Sequence, residues 1–293
     1  MLIIISGIAM IVAIIIALTI TIVISEKFLV KHGNVKLVIN DDKENALNVE
    51  TGGTLLSTLT ENEILIPSAC GGGGTCGYCT CQVTSGGGDL LPTEEGFINR
   101  KKAKDHWRLA CQVKVREDME IKVPDEVFST KKWECEVVSN DNVATFIKEF
   151  IVKLPDGEEL DFKPGGYIQI EIPKYHLNSG KDYDVEDIYR DDWDKIKAFD
   201  LITKNSEKVI RAYSMANYPA EGDIVMLNVR IATPPWDRKK DRFKKVPSGI
   251  SSSFIFSKKA GDKVTVSGPY GEFFINESES EMMYIGGGAG MAP

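Results

Sequence analysis

Four cysteines constrain this chain more than anything else in it. Cys70, Cys76 and Cys79 crowd a glycine-rich loop with the spacing C-x5-C-x2-C, and Cys111 follows in Leu109-Ala110-Cys111-Gln112. Thiols gathered this way hold something, and the fold must bring Cys111 back to the loop. Gly71 to Gly74 and Gly77 suit a backbone that has to turn tightly and aim N–H groups at sulfur. A 2Fe–2S cluster needs such a thiolate quartet. A structural zinc site usually pairs two C-x2-C knuckles, and only one is present. A disulfide framework belongs to short secreted chains, whereas this one has 6 cysteines in 293 residues. We therefore expect Cys70, Cys76, Cys79 and Cys111 to ligate a 2Fe–2S cluster. Cys81 and Cys135 read as buried small hydrophobes, with a spare-thiol role open for Cys81. His32, His106 and His176 match no arrangement in which two histidines replace two cysteines.

From Leu2 to Ile24 the chain carries no charge. As a helix this run is about 34 Å long, enough for a hydrocarbon core of about 30 Å. A signal peptide would show a basic start and a small-x-small cleavage site. We expect a single-pass anchor over residues 1–26, in the bilayer through residues 2–24. Lys27, Lys31 and Lys36 follow it, which places the soluble part on the cytoplasmic side of the membrane. The net charge of −8 argues against a nucleic-acid partner.

After the anchor, Val35–Ile39 and Ala46–Glu50 alternate as paired strands. Thr54–Leu59 has helical spacing. Cys81–Thr84, Cys111–Val115 and Glu120–Val123 read as strands, and Pro92–Lys104 as a helix with Glu94 and Glu95 in its first turn. Residues 33–127 thus predict a β-grasp 2Fe–2S domain. From Trp133 the pattern is that of an antiparallel barrel, expected over residues 130–275. An acidic stretch at about 174–208 interrupts it, either a solvated insertion or a docking surface; we expect the solvated form. The basic run Arg100-Lys101-Lys102, with Lys104 and Arg108, reads as a solvated helix face, with partner docking the alternative.

Arg211-Ala212-Tyr213-Ser214-Met215-Ala216-Asn217 resembles the R-x-Y-S flavin signature of the ferredoxin–NADP reductase superfamily. The residue types suit the chemistry. An arginine fork fits a pyrophosphate, a tyrosine ring lies flat on an isoalloxazine, and the serine hydroxyl can bond the flavin N5. Gly249, Ile250, Ser251 and Ser252 open a helix whose free amides favour phosphate. The segment from Gly261 to Phe273 is similar to the strand that ends the barrel in that superfamily. Met282-Met283-Tyr284-Ile285 followed by Gly286, Gly287, Gly288 and Gly290 looks like the first strand and phosphate loop of a nicotinamide domain, residues 280–293. The remainder of such a domain is not in the sequence, so the chain reads as a C-terminal truncation of a longer protein.

The whole order resembles the F subunits of bacterial sodium-translocating NADH:quinone oxidoreductases. The resemblance implies a multidomain α+β protein with FAD and a 2Fe–2S cluster as cofactors and NADH as substrate. It implies Ser214 and Tyr213 at the hydride-accepting flavin, Arg211 and Asn217 among the FAD contacts, and other subunits of a membrane complex as partners. It further implies that NADH reduces FAD, that electrons pass singly to the cluster, and that partner subunits reduce ubiquinone while Na⁺ is expelled. Two alternatives are the reductase of a soluble oxygenase, which has no use for an anchor, and a tethered electron carrier, which has no use for flavin.

Overall fold

The computed structural model describes residues 2–29, 33–271, 273–276 and 278–292. Its first element is a single helix, α1 (Leu2–Leu29), 28 residues long. Thr19 and Thr21 donate their hydroxyls to the carbonyls of Ile15 and Ala17, both at 2.8 Å, so these polar side chains are satisfied inside the helix. The described side chains of α1 lie between Gly7 and Thr21. Among the described residues no helix is long and apolar enough to cross a membrane.

The chain divides into two compact units, one of Met1–Glu63 with Cys79–Pro124, the other of Ile64–Tyr78 with Asp125–Pro293. In the first unit β1 (Asn34–Ile39) and β2 (Asp42–Glu50) form a hairpin. Its turn places Asn40 and Asp41 at positive φ, the conformation these two residue types tolerate best. β1 runs parallel to β5 (Met119–Lys122), which pairs antiparallel with β3 (Thr80–Ser85), and β3 pairs with β4 (Trp107–Leu109). The order β2-β1-β5-β3-β4 with two parallel central strands is the β-grasp. α2 (Leu55–Glu61) starts at Thr54, whose hydroxyl oxygen accepts from the Ser57 amide, and it buries Leu55, Leu56 and Leu59. Leu37, Leu109, Met119 and Ile121 complete the largest part of that core.

Two expectations for this unit fail for local reasons. The helix expected over Pro92–Lys104 shrinks to α3 (Arg100–Lys104), capped by the Asn99 side chain, which accepts from the Lys101 and Lys102 amides. Residues 92–98 form turns instead, because Glu94 is pulled inward as an acceptor. Its carboxylate takes the amides of Leu91 and Leu109 and the guanidinium of Arg108. Arg108 is accordingly buried and not part of any solvated basic face. The expected strand Cys111–Val115 is a turn, with the Gln112 and Val113 amides both donating to Leu109 O.

The second unit holds a six-stranded antiparallel sheet. Its strands are β6 (Lys131–Ala144), β7 (Ile147–Lys153), β8 (Tyr167–Ile172), β11 (Val209–Ser214), β12 (Ile224–Arg230) and β15 (Lys263–Tyr270). They lie in the order β11-β8-β15-β6-β7-β12. The two edges meet where the Ala216 amide donates to Met226 O at 2.8 Å, which curls the sheet into a barrel. A hairpin of β13 (Trp236–Asp237) and β14 (Arg242–Phe243) precedes α6 (Ile250–Phe256).

The acidic stretch is not a solvated insertion. It folds as β9 (Tyr175–Asn178), α4 (Ser179–Asp182), α5 (Asp187–Lys195) and β10 (Ile202–Asn205), with β9 and β10 paired. Trp193 is fully buried among Phe146, Tyr183, Phe199 and Phe256, and its indole N–H donates to Thr145 O. The carboxylates of α5 face water while its tryptophan reaches the barrel core, a pattern the charge count hides. The expected strand Met282–Ile285 does not form: Met283 and Ile285 are 86% and 89% exposed, and a strand is stable only with neighbours to take its hydrogen bonds.

Candidate functional site

All six cysteines are thiols outside any disulfide. In the second unit the loop Ser68–Tyr78 folds back on itself. The Gly71 amide donates to Ser68 O at 3.2 Å and the Gly72 amide to Ser68 Oγ at 3.0 Å. This turn brings the Cys76 and Cys70 sulfurs to 3.3 Å. Gly71, Gly72, Gly74 and Gly77 all have positive φ, which residues with a Cβ resist. Burial raises the Cys70 thiol, but the Thr75 and Cys76 amides, the Cys76 thiol and the Thr75 side chain more than offset this and hold it at about 6. Cys76 goes the other way, raised mainly by burial and by its charged neighbour Cys70.

In the first unit Cys79 and Cys111 are both buried. Pairing of β3 with β4 sets Thr80 against Leu109, and the Ala110 amide donates to Cys79 O at 2.8 Å. The two cysteines therefore flank the same backbone contact. Arg108 and Glu94 lock that corner from inside, Arg108 Nη2 lying 2.7 Å from Glu94 Oε2 and Nη1 donating to Gly87 O and Gly88 O. Among the described residues no three His, Cys, Asp or Glu side chains are gathered closely enough to hold a single metal ion. A two-iron cluster asks less of any one point, since four thiolates are shared between its irons. Cys81 and Cys135 are fully buried in strands, and burial pushes both thiols up to about 12.

The flavin-type residues lie on β11 and at the start of α6. Register sets Arg211 opposite Ile170, Tyr213 opposite Ile168 and Ser214 opposite Tyr167. Tyr213 donates its hydroxyl to Ser251 Oγ at 2.9 Å, which joins the two motifs. α6 starts at Gly249 with no side-chain cap, so its first amides are left for another acceptor. A Cβ at Gly249 would meet Ala232 Cβ at 2.6 Å, which explains glycine there. Ser252 Oγ accepts from the Ala232 amide, tying the helix to the strand end before it. Asn217 is occupied elsewhere: its amide donates to Ile224 O and accepts from Met226 N, where the barrel closes. Arg211 Nη1 donates to Ile210 O at 2.7 Å.

A cavity of about 270 Å³ opens beside this strand, lined by Ala69, Tyr78, Gly165, Tyr167, Ala212, Ser214 and Phe273. Ser214 thus faces open space, with two residues of the cysteine loop on another wall. A hydroxyl, a flat aromatic lining and an uncapped helix start suit a planar cofactor with a phosphate tail.

Residues 38–116 match the family of 2Fe-2S iron-sulfur cluster binding domains, and residues 197–275 match the oxidoreductase FAD-binding domains. The chain is 52% identical over 287 residues to the F subunit of the Na(+)-translocating NADH-quinone reductase of Haemophilus ducreyi, spanning 98% of this chain and 69% of that one. The corresponding protein of Histophilus somni is 53% identical over 287 residues, with the same shares. The chain belongs to this family of F subunits. Among solved structures, the Amycolatopsis cytochrome P450 reductase GcoB is similar at 21% identity and a TM-score of 0.49, covering 88% of this chain and 65% of that one.

The matched regions contain the four cysteines of the quartet, β11 and the start of α6. Of the glycines expected at a nicotinamide, Gly288 and Gly290 lie in a single 3-10 turn (Gly288–Met291), closed by Gly290 N donating to Gly287 O, and Gly286 precedes it. Sequence reasoning missed Tyr78, Tyr167 and the Glu94–Arg108 pair. Tyr78 had a signal, since it sits between Cys76 and Cys79. Glu94 and Arg108 had none, because nothing in a charge pattern marks a buried pair.

Proposed function

We propose that this chain is the electron-input component of a membrane-bound, sodium-translocating NADH:quinone reductase. It takes electrons from NADH and passes them to partner subunits that reduce ubiquinone. FAD supplies the change from two-electron to one-electron transfer and a 2Fe–2S cluster carries single electrons, roles no side chain fills. Cys70, Cys76, Cys79 and Cys111 are the cluster ligands in this reading. Their support is the sulfur pair in the loop and the paired backbone at Cys79 and Cys111.

Ser214, on the cavity wall, would bond the flavin ring with its hydroxyl, and Tyr213, held by Ser251, would offer its ring face. Arg211 and the first amides of α6, at Ile250, Ser251 and Ser252, would receive the pyrophosphate, while the Gly249 amide donates to Ala232 O and fixes where the helix begins. Gly286, Gly287, Gly288 and Gly290 approach the dinucleotide phosphates of NADH. In this reading the uncharged run of residues 2–24 is the single-pass anchor, and Thr19 and Thr21 within it keep their hydroxyls bonded to backbone carbonyls. Residues 2–24 carry no ionisable group, so ion translocation falls to the partners.

The observation that carries this reading is one cavity whose walls include both Ser214 and the cysteine loop. The test is the full chain purified with its cofactors. We expect flavin absorbance and a reduced-cluster paramagnetic resonance signal after NADH addition, and for Cys76→Ala loss of the resonance with FAD retained. A normal resonance in that variant would overturn the ligand set.

A further inference from the structure

The cysteine loop touches the flavin strand β11 at one point and its neighbour β8 at another, both within the second unit. At the first, Gly71 lies so close to β11 that a Cβ there would sit 2.1 Å from Ile210 O and 2.7 Å from Arg211 Nη1. At the second, the Tyr78 ring stacks on Tyr167, with centroids 6.4 Å apart and an angle of 26°. Tyr167 is the register partner of Ser214. The loop therefore meets the R-x-Y-S segment directly beside its arginine and meets the strand opposite its serine, and Cys76 lies between the two contacts in sequence, with Cys70 immediately before the first. Gly73 makes a useful contrast. It lacks positive φ, and its Cβ would find only ordinary contacts of 3.5 Å or more with Cys70.

We propose that Gly71 and Tyr78 are positioning residues that seat the cysteine loop on β11 and its neighbour β8 and thereby set the rate of single-electron transfer from flavin to cluster. The proposal rests on the assignment of β11 and the cysteine loop made above. In the step concerned one electron leaves the NADH-reduced flavin and one ferric iron of the cluster becomes ferrous; no protein bond forms or breaks. At Gly71 a side chain meets backbone, which cannot swing aside as a rotamer would, so the loop as a whole must lift.

The experiment is stopped-flow reduction of the full chain by NADH, following flavin bleaching and cluster reduction separately. Hydrogen exchange of residues 64–78 is measured alongside it in the cofactor-free protein. For Gly71→Ala we expect cluster reduction slowed by about tenfold or more relative to flavin bleaching, and faster exchange in the loop. Gly73→Ala should slow cluster reduction less than Gly71→Ala does and leave loop exchange closer to that of the unaltered chain. An unaltered cluster-reduction rate in Gly71→Ala, or equal slowing in Gly73→Ala, would overturn the proposal. If Gly71→Ala fails to assemble its cluster, Tyr78→Leu decides. Cluster reduction slowed relative to flavin bleaching supports the proposal, and an unaltered ratio of the two rates overturns it. An unaltered chain that takes up no flavin would remove the assignment of β11, and this proposal with it.

Discussion

Cys70 and Cys81 are near neighbours in sequence and opposites in environment. Cys70 lies in a glycine turn, half-buried, with backbone amides aimed at its sulfur, and its thiol titrates at about 6. Cys81 lies in β3 with no exposure; burial pushes it up to about 12, with nearby Arg108 pulling down and Glu94 pushing up. In a strand the amides are spent on the ladder, so none turns toward the side chain. In a loop of left-handed glycines they are free to do so. Reactivity follows from where the backbone amides point rather than from the residue type.

Alkylation tests that contrast most sharply. In the cofactor-free chain at pH 7, Cys70 is mostly thiolate while Cys81 and Cys135 are ionised at about one part in 10⁵, by the usual acid–base relation. Iodoacetamide labelling read by mass spectrometry should mark Cys70 orders of magnitude faster than either. Labelling of Cys70 should also fall as the pH drops through about 6. Comparable labelling of Cys81 would refute the contrast.

The Glu94–Arg108 pair supports the corner behind Cys81. Glu94→Gln leaves the guanidinium charge buried without its partner, and we expect a loss of about 3–5 kcal/mol in urea unfolding. Burial raises the Glu94 carboxyl, but Arg108 and the Leu109 and Leu91 amides outweigh it, so the folded value lies below the ordinary one. The pair's contribution is thus complete above the unfolded carboxylate pKa and is lost as pH falls through the lower folded value. Acid sensitivity in that window should be weaker in the variant. A variant with unchanged sensitivity would assign acid unfolding to other groups.

On β11, Arg211→Leu should weaken FAD binding by about 1.5–3 kcal/mol in fluorescence titration, the worth of a charge-assisted contact. An unaltered affinity would leave Arg211 with only its bond to Ile210. The smallest effect belongs to the exposed pair Lys263–Glu136 at 2.7 Å. Lys263→Gln should not move the urea midpoint measurably, because solvent screens such pairs. A clear shift would mean that exposed charges matter here as buried ones do.

Local pattern made much of the fold legible. The alternation that makes β1 and its hairpin partner, and the helical spacing of α2, are written in adjacent residues. Pro92–Lys104 misled because its helical pattern was overridden by Glu94, whose partner Arg108 lies fourteen residues on. Trp193 misled for the same reason, since a tryptophan among aspartates shows its burial only once the barrel is present.

The amino-acid order alone showed where chemistry could sit in this chain: four spaced cysteines, a flavin-type strand, a glycine-led helix and an uncharged run over residues 2–24. Each is read from residue types and their spacing along the chain. Only the tertiary structure decided that the Cys70 sulfur is easily ionised, that Asn217 closes a barrel, and that Gly71 rests on the backbone of Ile210. Those facts depend on distances between segments far apart in the chain, and distance is what a one-dimensional pattern does not carry.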